Sequence, residues 1–66
     1  MMNFKTMRKI AAQNGFVFGR SSSRIELYSI EPYSFVLKKN NTERYYTDLN
    51  QAEPDIDEIR EGGNPL

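Results

Sequence analysis

The sequence predicts a small α+β domain: an antiparallel meander of three to four strands with an N-terminal helix and a short C-terminal helix, in the order α-β-β-β(-β)-α. Three observations carry this. Apolar residues recur with a helical period up to Gly15, the period drops to two after it, and helical spacing returns beyond Asp48. Successive short strands joined by tight turns favour antiparallel pairing, and a small sheet buries its apolar face under one or two helices.

The first helix is expected over about residues 3–14. Phe4, Met7, Ile10, Ala11 and Asn14 lie at i, i+3, i+6, i+7 and i+10, which puts them along one stripe. Asn3 suits the N-cap, where its side chain can accept a backbone N–H. Gly15 suits a left-handed stop, and Phe16 supplies the apolar residue that often follows one.

Strand chemistry follows. FVFGR (16–20) is aromatic and β-branched, the serines at 21–23 favour a turn, and RIELYSI (24–30) resumes in short alternation. Pro32 breaks that run. SFVLKK (34–39) is the next strand, the NNT tract (40–42) a turn, and ERYYT (43–47) a further short strand. The core side is expected to hold Phe16, Phe18, Ile25, Leu27, Phe35 and Leu37 against Phe4, Met7 and Ile10.

The last segment opens with Asp48 and Gln51 in the spacing of a capping box. Leu49, Ala52, Ile56 and Ile59 form a helical stripe that Pro54 interrupts. Proline lacks an N–H and fits the first turn of a helix best. The expectation is therefore a short turn over 48–52 and a helix starting at Pro54, in preference to one kinked helix. Residues 1–61 are expected to form the domain and GGNPL (62–66) a loose tail.

Composition excludes more than it identifies. With 66 residues, no Cys and no His, the chain has neither disulfide nor ordinary zinc site to reinforce a core that supplies only about 3–5 kcal/mol at this size. Ser–His and Cys–His catalysis and a His general base are excluded. The carboxylates of EPDIDEIRE (53–61) are expected to face water, and they lack the spacing and the Gly of an EF-hand loop. GRSSS (19–23) is no Walker A loop, because it precedes a strand and lacks the Gly-Lys pair. No enzyme activity and no cofactor are expected. No apolar run approaches the ~20 residues of a membrane span, and the basic residues inside the first helical pattern do not make a signal peptide. A cytoplasmic protein with no membrane partner is expected.

Charge gives the functional lead. Residues 1–44 carry eight Lys/Arg against three Glu, a net of +5; residues 45–66 carry six acids against Arg60 alone, a net of −5. Such a division points to a charged partner or to an internal contact. The expected function is non-enzymatic binding of another protein through an acidic face of Asp55, Asp57, Glu58 and Glu61. The alternative is nucleic-acid binding through Lys38, Lys39, Arg44, Tyr45 and Tyr46, where cations hold phosphates and rings stack bases. Against it stands a pI near 6.2, low for a nucleic-acid-binding domain. An open sheet edge also makes a homodimer an expected arrangement.

One stretch has a family echo. NGFVFGRSSSRIELYS (14–29) resembles the helix-to-hairpin region of HicA-type toxins, small mRNA interferases of double-stranded-RNA-binding-domain shape. The resemblance runs from Lys5 to about Ser29, under half the chain. It implies a related α/β shape and a nucleic-acid-binding role. At the place of that family's catalytic His this sequence has Arg24, so the resemblance does not extend to nuclease chemistry.

Overall fold

The computed structural model describes residues 2–21 and 33–66. Helix α1 (Phe4–Gln13) leads to strand β1 (Val17–Arg20); β2 (Phe35–Lys39), β3 (Thr42–Tyr46) and helix α2 (Leu49–Arg60) follow. The strands form one antiparallel sheet in the order β1-β2-β3. The α-β-β-β-α order is the small α+β fold the sequence predicts. Of the turn expected at 21–23 only Ser21 is described. The strand expected over 24–30, with Ile25 and Leu27, and the break at Pro32 lie outside the described residues, as does Arg24.

Both helices begin and end on local chemistry. Asn3 accepts the Thr6 N–H at 2.8 Å and Asp48 accepts the Gln51 N–H at 2.9 Å, each side chain satisfying a donor that has no partner inside its helix. The Gln51 amide oxygen reaches back to the Thr47 N–H at 2.8 Å, one residue earlier than an ideal capping box. At the other end, Gly15 (φ 84°) and Gly62 (φ 92°) take the left-handed conformation. Phe16 N–H then donates to the Ala11 carbonyl at 2.8 Å, and Gly63 N–H to the Glu58 carbonyl at 2.8 Å. With the Gly15-to-Ala12 and Gly62-to-Ile59 bonds, each end is a Schellman motif. Between β2 and β3, Asn40 makes the tight turn with φ of 56°, a region that asparagine tolerates better than most residues.

Register sorts the strand residues into two faces. Paired residues share a face and neighbours alternate, so the face under the helices carries Arg20, Phe35 and Tyr46 in one row and Phe18, Leu37 and Arg44 in the next. The opposite face carries Val17, Lys38 and Glu43, then Gly19, Val36 and Tyr45. The core lies between sheet and helices. Met7, Ala11, Phe16, Phe18, Phe35, Leu37, Tyr46, Ala52, Ile56 and Ile59 are buried there, with Phe4, Ile10, Leu49 and Leu66 packed at its margin. Phe18 and Phe35 stack with centroids 5.9 Å apart, and Phe4 leans on both at 5.7 and 5.6 Å. The Arg20 guanidinium lies 4.6 Å over the Phe4 ring and Lys39 Nζ 4.5 Å over Phe16, so a cation covers an aromatic ring at each end of the sheet.

One element differs from expectation. Residues 49–60 form a single 12-residue helix that contains Pro54, not a turn followed by a short helix starting there. Ala52 on one side of Pro54 and Ile56 and Ile59 on the other are all fully buried in the same core. That shared burial holds both halves in line. Pro54 itself points to solvent, where water can take the carbonyl left without its helical donor.

Candidate functional site

The two helices lie side by side in one layer. They contact each other, α1 also resting on β1 and α2 on β3. Their outer surfaces have opposite charge. On α1, Lys5, Arg8 and Lys9 are exposed, spaced i, i+3 and i+4 on the side away from Met7 and Ala11, and Phe4–Gln13 contains no acid. On α2, the fully buried Ala52, Ile56 and Ile59 leave Glu58 and Glu61 exposed on the far side and Glu53 and Asp57 half-buried.

The four acids singled out from the sequence have different fates. Asp55 turns inward: its Oδ2 accepts the Tyr46 O–H at 2.6 Å and the Arg44 Nη1–H at 3.0 Å, and its side chain is only 17% exposed. Burial, reinforced by this bond, pushes the Tyr46 hydroxyl well above its ordinary pKa. The hydrogen bond to Asp55 and then its charge push Arg44 further above its already high range. Asp57 pairs with Arg60 one turn on, at 2.7 Å. Glu58 and Glu61 are exposed and, like Glu53, carry no ion pair among the described residues. Glu53 was not singled out from the sequence, although its place on the helix surface away from the Ala52–Ile56–Ile59 stripe was readable there.

The basic and aromatic set is divided by the pleat. Lys38 and Tyr45 lie on the face away from the helices, both bonded to Glu43: Lys38 Nζ at 3.9 Å from Oε2, the Tyr45 O–H donating to Oε1 at 3.0 Å. Lys39, Arg44 and Tyr46 belong to the helix face. Adjacent strand residues must point to opposite faces, so Lys38-Lys39 and Tyr45-Tyr46 could have been recognised as divided pairs from sequence alone. Beside β3 lies a depression of about 390 Å³ lined by Tyr33, Arg44, Tyr45, Thr47, Gln51 and Asp55. Its charged members, Arg44 and Asp55, are bonded to each other, so the group fastens β3 to α2.

Among the described residues no cluster of three or more carboxylates is placed to hold a metal ion, and no helix is long and apolar enough to cross a membrane. Comparison of the chain with protein families, with curated proteins and with solved structures gives no match.

Proposed function

We propose that this protein acts in the cytoplasm by binding another protein, without catalysis, through the outward face of α2. One observation carries the reading: Glu58 and Glu61 are exposed and Glu53 half-buried on a helix whose opposite side is fully buried, and none of the three forms an ion pair among the described residues. A rigid element whose charges lie outside any ion pair offers electrostatic complementarity at little ordering cost. The partner surface is expected to bring positive charge to α2. The nucleic-acid alternative has less support, because its five residues divide between two sheet faces and Arg44 is engaged by Asp55.

Affinity purification with wild-type and Glu58→Lys/Glu61→Lys chains as paired baits tests this. A partner retained at low salt by the wild type, and lost both at high salt and on charge reversal, is the expected result. Retention that ignores salt and reversal alike would refute the reading.

A further inference from the structure

We propose that the partner of this surface is a second copy of the chain, related by a two-fold axis that lays the basic face of α1 on the acidic face of α2 in the other copy. The inference rests on the reading of α2 as an interaction surface and adds the identity of its partner. It starts from a match in number and place. Three cations on α1 (Lys5, Arg8, Lys9) and three carboxylates on α2 (Glu53, Glu58, Glu61) have no ionic partner among the described residues. The helices are adjacent in one layer, and all of these groups are exposed except Glu53, which is half-buried.

That arrangement restricts what can cover it. A uniformly basic partner seated on α2 meets the α1 cations beside it, and a polyanion seated on α1 meets the α2 acids. Like charges brought together in this way oppose docking. A partner that satisfies both helices needs a positive and a negative stripe side by side, in reversed order. The chain itself, turned 180° about an axis lying between the helices and parallel to the layer, has them. Each α1 then lies over the partner's α2, so the contact is isologous and closes at two copies. The formal net charge of zero leaves no overall repulsion between the copies.

The contact is electrostatic. The outward residues of both helices are polar apart from Ala12 and Pro54, and exposed ion pairs contribute about 0–1 kcal/mol each. The dimer is therefore weak and depends strongly on salt, since the screening length falls from about 30 Å at 0.01 M to about 10 Å at 0.1 M.

Sedimentation equilibrium on the full chain tests this. Wild type is expected to be dimeric near about 0.01 M salt and monomeric near about 1 M. Lys5→Glu/Arg8→Glu/Lys9→Glu and Glu53→Lys/Glu58→Lys/Glu61→Lys, each with wild-type circular dichroism, are each expected to stay monomeric at low salt, and their equimolar mixture to form a heterodimer. Should a triple variant lose its helical signal, Lys9→Glu and Glu58→Lys serve in its place. A monomeric wild type at low salt, a dimer that survives reversal of one helix, or a mixture that stays monomeric overturns the proposal. So does a monomer that binds a mixed-sequence RNA oligomer through the α1 cations. A monomer that still loses a different protein partner on Glu58→Lys/Glu61→Lys overturns the dimer and leaves the role of α2 standing.

Discussion

Helices α1 and α2 obey the same local rules and are held to the sheet by different forces. Each has a short polar N-cap and a glycine-based Schellman stop. From there they diverge. α1 meets the sheet through apolar and aromatic contacts, Met7 and Ala11 on the core and Phe4 beneath Arg20, and among the described residues no side chain forms an ion pair with it. α2 has its own apolar stripe and in addition the Tyr46–Asp55–Arg44 clasp to β3. The difference shows that a count of charges in the sequence misjudges both helices. None of the three α1 cations forms an ion pair among the described residues, whereas the inner acid of α2 is committed to its own sheet.

The largest effects should leave the two helices alike. Ile56→Ala in α2 and Met7→Ala in α1 each empty a fully buried site and should cost about 2–5 kcal/mol. In a domain with about 3–5 kcal/mol to lose, both variants should melt near or below ambient temperature by circular dichroism. A stable, cooperative transition for Ile56→Ala alone would show that α2 is dispensable to the core.

Breaking the clasp should distinguish them. Tyr46→Phe keeps the ring and removes the hydrogen bond to Asp55, for an expected loss of about 1.5 kcal/mol in urea denaturation. Burial of that hydroxyl, reinforced by the bond, gives a pH signature. The hydroxyl of folded Tyr46 ionises at a higher pH than that of the unfolded chain, so the unfolded state releases its proton first. The associated stability is complete below about pH 10 and is lost as pH rises beyond it. Tyr46→Phe should remove this share of alkaline destabilisation, and an unchanged alkaline profile would mean that the hydroxyl is not held in its buried, bonded place in solution.

Smaller effects test the shared grammar. Asn3→Ala and Asp48→Ala should each cost about 1 kcal/mol; a much smaller loss at Asp48 would mean that Gln51 and Thr47 cap α2 without it. Smallest of all, Arg60→Ala removes only the exposed pair with Asp57 and should change stability by less than about 0.5 kcal/mol.

What was legible in the sequence was what short-range physics decides. Asn3, Gly15 and Phe16 announce the start and stop of α1 because their partners lie three to five residues away. Aromatic and β-branched residues in FVFGR and FVLKK announce strands because such side chains suit a pleated, half-buried surface. The candidate site was only half legible: Glu58 and Glu61 are exposed, but Asp55 turns inward, because its partners are on a strand nine and eleven residues earlier.

By itself, then, the sequence determined the element types, the order α-β-β-β-α, both helix caps, the absence of Cys and His chemistry, and the division of charge. Only the tertiary structure decided that Pro54 stays inside a continuous helix, that Tyr46 is a core residue and not a free ring, and that the divided charge becomes a basic helix beside an acidic one. Caps and alternation are set by bonds between near neighbours. The rest depends on which residues a shared core and a strand register bring together from distant parts of the chain.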